Sequence, residues 1–468
     1  MTHSERTWRP KAVRGFTSIG NFDGTVAGGH IVGGVVAWLH EDRSSVSSEV
    51  AHIRASEERK LRHRGRRETI VLFLGGAQLR FSTPYLSVDY QGCPGRRRGV
   101  GRRGKAGGGC YPVLEGLGIR HQASPALASE VARQSVRCSS FEEASEALGE
   151  RGLSMDAKGV RTLALFVGNE ALRQRVLRMA AAAAGYTFGD EFAGKRVVVS
   201  ADGGRLRTRQ YGGRRRRRKK GGRRYDTPWR EPKLVIAYVI DDRGRKVRSI
   251  APLIDVTLGD ADAAFGLLIS ELLLRGAAKA KEIIVIGDGA PWIWNRVDAL
   301  AHALEMAPEK IVRVADFYHA VEHLTAIADL RAGWTDAKKK KWVCKMRRRL
   351  RKGNVDKVIK EARDFCIGRH AKALARETAY FENRRDFMRY DQFRERGIPL
   401  GSGAVESAVR RVINLRLKGA GIFWLECAAE AMLHLRAYLK AGRWSELVNR
   451  VIHRSPDGTP RLPLEKAA

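Results

Sequence analysis

The chain is short of acidic residues, of clustered cysteines and of long apolar runs. Only 51 Asp and Glu stand against 87 Lys and Arg, leaving a formal charge of +36. Such an excess repels itself unless a polyanion is the working partner. The six cysteines (Cys93, Cys110, Cys138, Cys344, Cys366 and Cys427) are scattered and include no CxxC pair. They read as reduced thiols, which favours the cytosol. No apolar run approaches the ~20 residues of a bilayer span, so no membrane segment is expected. The opening MTHSERTWRPKAVR leads into no continuous apolar stretch, so no secretory signal is expected either. A cytoplasmic, nucleoid-associated location follows as an expectation. What is present is 43% hydrophobic residues in 468, enough for most of the chain to fold and for two to four domains.

The stretch KEIIVIGDGAPWIW, residues 281–294, organises the rest. Ile283 to Ile286 form an apolar run that predicts a strand buried on both faces. It ends at the turn signal Gly287-Asp288-Gly289, and Pro291 suits the first position of a helix. Asp288 therefore falls at the carboxyl end of a central strand, where α/β sheets place ligands. An Asp before Gly is most often a plain turn residue. This one has company. KRVVVSADGGRLR gives a strand ending at Asp202, and LVIAYVIDD and KVRSIAPLID read as two strands joined by Asp242-Arg243-Gly244. DADAAFGLLISELLLRGA predicts a helix, and another follows Asp288 at WIWNRVDALAHAL. KIVRVADF gives a strand ending at Asp316, before a further helix. The order β-β-β-α-β-α-β-α is that of an RNase H-like mixed-sheet α/β core.

Before that core, SPALASEVARQSV and the segment from Ser139 onward read as helices. Ser139 or Ser140 can cap one, and Ser154 the next, across a turn at Gly149 and Gly152. That pattern fits a helix-turn-helix or an ordinary helical hairpin. Further upstream, 69–90 reads as two strands around Gly75-Gly76, and EVAHIRASEERKLRHRGRRE as a basic helix. After the core, 335–400 is Lys/Arg-rich and helix-forming. GSGAVESAVRRVINLRLKGAG then predicts a helix capped by Ser402. Its apolar stripe is Val405, Ala408, Val409, Val412 and Leu415. Its polar face carries Glu406, Arg410, Asn414 and Lys418 at i, i+4, i+8 and i+12.

Cutting or joining DNA backbone needs an activated oxygen nucleophile and relief of charge on the phosphate. Paired magnesium ions held by hard oxygen ligands supply both. Asp202 and Asp288 end neighbouring strands of such a sheet, and Glu406 can complete the site. Each alone has a plainer role: a turn residue for Asp202, a carboxylate favouring a helix N-terminus for Glu406. Asp316 and His319 form a second signal, against the plainer reading of an N-cap and a surface histidine. The run Arg214, Arg215, Arg216, Arg217, Arg218 sits in the loop after the first strand, where phosphate neutralisation helps.

On the motifs SADGG (Asp202), IGDGAPWIW (Asp288), ADFYHAVEHL (Asp316, His319) and GSGAVES (Glu406), the chain resembles DDE-type transposases of bacterial insertion sequences related to the Mutator group. The resemblance spans about 110–445. It implies an RNase H-like catalytic domain with a helical insertion before the final Glu. It implies cleavage at terminal inverted repeats and strand transfer into target DNA, dependent on Mg²⁺ or on Mn²⁺ in its place. Asp202, Asp288 and Glu406 would be the catalytic metal ligands, with Asp316 and His319 accessory. Arg214 to Arg218, Arg410, Asn414 and Lys418 would contact double-stranded DNA, and a homodimer or larger assembly would hold two ends. Relatives of this kind often carry a cysteine-rich segment near the N-terminus. Here only Cys93 and Cys110 stand there, so zinc is not expected.

The implied divisions are 1–123, a basic N-terminal region; 124–190, helix-turn-helix-like; 191–334, the first part of the core; 335–400, the helical insertion; 401–445, the final helices of the core; and 446–468, a tail. A decayed transposase that only binds DNA, or a nuclease of the same fold, are the competing expectations.

Overall fold

The computed structural model of the chain describes residues 33–34, 36–37, 40, 43–56, 61–88, 109–211, 225–365, 368–452 and 465–466. The basic run Arg214 to Arg218 and the thiols Cys93 and Cys366 lie outside them. The contacts divide the chain into two units, Met1–Leu127 with Gly149–Ser154 and Ala128–Leu148 with Met155–Ala468.

In the first unit, helix α1 (Arg43–Ser56) is followed by strands β1 (Leu61–Leu72) and β2 (Gln78–Val88), an antiparallel hairpin. The two-residue β3 (Gly109–Cys110) pairs with β2, and the short α2 (Pro112–Gly116) follows. Strand β1 opens eight residues earlier than the apolar pattern suggests. Arg62 to Glu68 lie in it rather than in a continued basic helix. These side chains all face water, so no apolar stripe holds them helical, while pairing with β2 satisfies their backbone. Val71, Phe73, Phe81, Leu114 and Ile119 close a small core.

The second unit carries the mixed α/β sheet. It is preceded by α3 (Pro125–Arg137), α4 (Phe141–Gly149) and α5 (Ala157–Ala183). Ser140 caps α4 as expected, its Oγ accepting the Glu143 N–H at 3.0 Å. Asp156, not Ser154, caps α5: its carboxylate accepts the Gly159 N–H at 2.8 Å. Asp is among the strongest N-cap residues, and it stands one position before the first helical turn. Helix α5 runs 27 residues and buries Val160, Leu163, Val167 and Ala171. Its first turns expose Lys158, Arg161 and Thr162.

The sheet strands are β4 (Arg196–Gly203), β5 (Lys233–Ile240), β6 (Leu253–Thr257), β7 (Glu282–Gly287) and β8 (Ile311–Ala315). Their spatial order is β6-β5-β4-β7-β8. β5 runs antiparallel to β4 and β6, while β7 lies parallel to both β4 and β8. β7 is buried along its whole length, as an apolar run without alternation requires of a central strand. The third strand begins at Leu253, later than KVRSIAPLID suggests. Asp241 instead forms a tight turn, accepting the Arg243 and Arg245 N–H groups at 2.9 and 2.8 Å.

Alternation sorts the sheet faces. Val197, Val199, Ala201, Val235, Ala237, Ile283 and Val285 pack with Phe265, Leu268 and Leu272 of α6 (Ala261–Leu274) and with Val297 and Leu300. The helix expected after Asp288 is two pieces, α7 (Pro291–Trp294) and α8 (Val297–Ala303). Val198, Ser200 and Asp202 therefore belong to the opposite face. There α14 (Gly403–Val409) packs on β4 and β5, and α16 (Glu426–Ala441) on β6. Between β8 and α14 come α9 (Phe317–Asp329), α10 (Asp336–Arg351), α11 (Val355–Arg363), α12 (Ala371–Glu382) and α13 (Tyr390–Glu395). The described part of 335–400 is thus helical. After α14, Arg410–Asn414 is a π-helical turn and α15 is Leu415–Leu417. α17 (Trp444–Ile452) closes the unit with Leu447 buried.

Buried ion pairs brace the helices around the sheet. Arg178 on α5 grips Glu271 on α6 with two bonds of 2.6 and 2.8 Å. Arg275 reaches Glu191 and Glu446, each at 2.6 Å. Among the described residues no helix is long and apolar enough to cross a membrane.

Candidate active site

Strand register brings three carboxylates into one row. Ile286 pairs with Ser200, and Gly287 with Ala315. Carried past these last partners, Asp202, Asp288 and Asp316 fall at one level on β4, β7 and β8. Neighbouring strands lie about 4.8 Å apart, so the row is compact. All three stand at the carboxyl ends of parallel strands.

Each carboxylate is held differently. Asp202 is half-buried and accepts the N–H of Gly203 at 2.6 Å. Its pKa is pushed up to about 6, first by burial and then by the charges of Asp288, Glu406 and Glu231. Asp202 is therefore within reach of the charges of both Asp288 and Glu406. Asp288 Oδ1 accepts the Ala290 N–H at 2.9 Å, which turns the chain toward α7. Glu406 is exposed in the first turn of α14.

Asp316 is 1% exposed and fully engaged. One oxygen caps α9, accepting the Tyr318 and His319 N–H groups at 2.6 and 3.1 Å. The other accepts the Ser402 N–H at 2.6 Å and the Ser402 hydroxyl. Ser402 does not cap its helix through its side chain, contrary to the pattern. Its Oγ lies against Asp316 and 3.2 Å from Glu406 Oε1, and its one proton serves one carboxylate at a time. Asp316 is thus a tie between β8, α9 and the helix carrying Glu406.

His319 and Asp288 share a cavity of about 360 Å³ with His323, Tyr380 and Arg384. His323 stacks on Tyr380 with centroids 3.8 Å apart, and its Nδ1 lies 2.6 Å from Glu377 Oε2. Burial lowers the His323 pKa and outweighs Glu377, so the ring is neutral at neutral pH. His319 Nδ1 lies 3.0 Å from Glu322 Oε2. Arg384 donates to the Gly289 carbonyl, and the Tyr380 hydroxyl is buried with no partner among the described residues. Gly289 has φ +104°, and a Cβ there would lie 2.7 Å from both Arg384 Nε and Tyr380 Cε2.

Sequence reasoning missed Glu231, Glu377, Tyr380 and Arg384. Glu231 carried a faint signal: it stands just before β5, whose Lys233 pairs with Gly203. The other three sit on or just beyond α12, far along the chain from Asp288, and only folding brings them near.

The polar face expected of the last helix is broken. The π turn inserts a residue into the helical repeat, so Glu406, Arg410, Asn414 and Lys418 do not keep one i, i+4 line. Leu415, expected in the apolar stripe, is 58% exposed, while Arg416 and Leu417 are buried. Arg436 stabilises the turn by donating to the Arg411 carbonyl at 2.8 Å. Arg416 turns inward against Phe141 and Trp424 and donates to the Ser135 carbonyl at 3.2 Å. Arg410 and Lys418 remain exposed, with Asn414 half-buried and Lys418 beyond the helix end.

Among the described residues, no three His, Cys, Asp or Glu side chains form a ready-made metal cage. The chemistry of Asp202, Asp288 and Glu406 fits a divalent cation nonetheless. They are hard oxygen donors; burial and then the charges of the other two raise Asp202, and a cation relieves that repulsion.

No protein-family model, curated protein or solved structure matches the chain.

Proposed function

We propose that this chain is a DDE-type transposase with an RNase H-like core. It would cut DNA at the ends of an insertion sequence and join the freed 3′ ends to target DNA. The observation that carries this reading is the carboxylate row on β4, β7 and β8 with Glu406 in electrostatic reach of Asp202. The sheet order β6-β5-β4-β7-β8 and the helices between β8 and α14 support it, as does the charge of +36. Asp202, Asp288 and Glu406 would hold the metal ions. Magnesium, when bound, supplies an activated oxygen nucleophile and neutralises charge on the phosphate.

The chain's own residues do the rest. Asp316 fixes the start of α14 and so the reach of Glu406. Arg384 and Gly289 shape the loop that presents Asp288. Neutral His323, stacked on Tyr380, walls the cavity on the other side. The buried backs of β4 and β7 keep the two strand ends at one spacing. Double-stranded DNA is the proposed partner, and two copies of the chain would hold two ends.

The test is direct. Purified protein is incubated with Mg²⁺ and the DNA that flanks its own gene, and end cleavage and strand transfer are scored. Asp202→Ala, Asp288→Asn and Glu406→Gln should each abolish both steps while binding persists. Full activity in any of the three would refute the site.

A further inference from the structure

A second surface, sharing no lining residue with the carboxylate row, carries the charge of a polyanion site. Helix α10 (DAKKKKWVCKMRRRLR) lines a groove of about 950 Å³. Lys338, Lys341, Lys345, Arg348, Lys352 and Arg394 line it around Trp334 and Trp342, and among the described residues none that lines it is acidic. Positions 338, 341, 345, 348 and 352 advance by three or four, which keeps them on one side of the helix. At 1.5 Å per residue the stripe is about 21 Å long. Glu361 neutralises part of the helix by pairing with Lys345 and Arg349. Lys341, Arg348 and Lys352 are exposed.

The tryptophans decide which polyanion fits. Trp342 is 7% exposed and donates its Nε1–H to Glu361 at 3.0 Å. Trp334 packs edge-on against Trp342 and Phe365, and the Lys338 ammonium lies 5.3 Å from its ring centre. These rings support the groove and already have partners. A site for unpaired bases needs open aromatic faces on which bases stack. A stripe of cations on a rigid, braced helix instead suits a phosphate backbone.

We propose that the α10 groove binds the backbone of double-stranded DNA without sequence preference. It would grip flanking or target DNA rather than read the element's ends. This rests on the reading of the chain as a DNA-cutting enzyme.

The exposed thiol of Cys344 lies in the groove and reports on it directly, with exposed Cys427 on α16 as the reference. The full-length wild-type protein and a Lys341→Ala, Arg348→Ala, Lys352→Ala triple variant are compared on a duplex of unrelated sequence. Binding is measured across salt concentrations, Mg²⁺-dependent cleavage of the flanking DNA is scored in parallel, and thermal melting checks the fold. Each lost phosphate contact should flatten the slope of log K against log salt by about 0.9, so the variant should lose about 2 to 3. Saturating duplex should slow alkylation of Cys344 at least tenfold relative to Cys427. An unchanged slope and an unprotected Cys344, in a preparation that still cuts its flanking DNA, would overturn the groove assignment and leave the enzyme reading intact. Protection by single-stranded DNA alone would overturn the duplex assignment. A wild-type protein that neither binds nor cuts DNA would overturn the enzyme reading and the groove with it.

Discussion

Asp316 accepts the backbone N–H of Ser402 at 2.6 Å, tying the end of β8 to the helix that carries Glu406. The two residues are 86 positions apart. A second bond, from the Phe317 N–H to the Leu400 carbonyl at 2.8 Å, ties the same two segments. The resemblance implies that Asp316 is an accessory residue, and under the proposed function its bonds make it a positioning residue.

Replacing Asp316 by Ala leaves the buried Ser402 donors and the part-buried Tyr318 and His319 N–H groups without this partner, at a cost of about 2–4 kcal/mol. Asp316→Asn can keep the α9 cap but turns an amide toward the Ser402 N–H. Ser402→Ala keeps the backbone bond and loses only the hydroxyl. Thermal melting should rank the stability loss Asp316→Ala > Asp316→Asn > Ser402→Ala. Cleavage should fall in the same order, with Ser402→Ala within about tenfold of wild type. Ser402→Ala as damaging as Asp316→Ala would place the work in the hydroxyl instead.

Asp202 should be a stability liability in the metal-free protein. Its folded pKa of about 6 lies above the ordinary 3.8, so the folded state binds the proton more tightly. Its contribution is most favourable below pH ~4 and worsens as pH rises through about 6. In EDTA at pH 8, Asp202→Asn should melt about 1–3 °C above wild type. The difference should vanish near pH 4. A lower melting temperature for Asp202→Asn at pH 8 would contradict the crowded-carboxylate account.

The braced helices of the second unit make the opposite prediction. Burial raises the pKa of Glu446, but Arg275, Arg450 and Arg443 outweigh it and hold the carboxyl at about 2. Glu271 is held low in the same way by Arg178 and Arg275. Their stabilisation is complete above pH ~4.5 and is lost as pH falls toward 2. Glu271→Ala should cost about 3–5 kcal/mol in urea unfolding at pH 7, because it strands buried arginines. A loss below 1 kcal/mol would show that the pair is not desolvated as described.

Gly289→Ala tests the loop behind Asp288. A side chain there meets Arg384 and Tyr380 at 2.7 Å and a φ of +104° that L residues rarely adopt. The variant should lose about 1–3 kcal/mol and most of its cleavage activity. Full activity would mean that the Asp288 loop needs no fixed shape.

Much of this was legible in the chain. Apolar runs without alternation marked β4, β5 and β7, and their ends marked Asp202 and Asp288. Burial on both faces leaves a strong signature in composition. The π turn at Arg410–Asn414 left none, because Val409, Val412 and Leu415 fit an ordinary helical stripe as well. What selects the turn is tertiary: Arg436 satisfies the Arg411 carbonyl, and Arg416 finds an aromatic pocket. Tyr380 and Arg384 were equally silent, since local pattern cannot show that α12 returns to Gly289. Residue type alone makes Ser154 and Ser402 cap candidates. Asp156 stood in the better position for one, and Asp316 claimed the hydroxyl of the other.

Under the proposed function, Asp288 is a metal ligand of a DNA-cutting site. Asp288→Cys tests it most directly, because a thiolate is a poor ligand for Mg²⁺ and a better one for Mn²⁺. Single-turnover cleavage of the flanking DNA should fall at least about a hundredfold in Mg²⁺ and recover at least about tenfold in Mn²⁺. Cleavage in Mg²⁺ equal to that of the wild type would contradict the account.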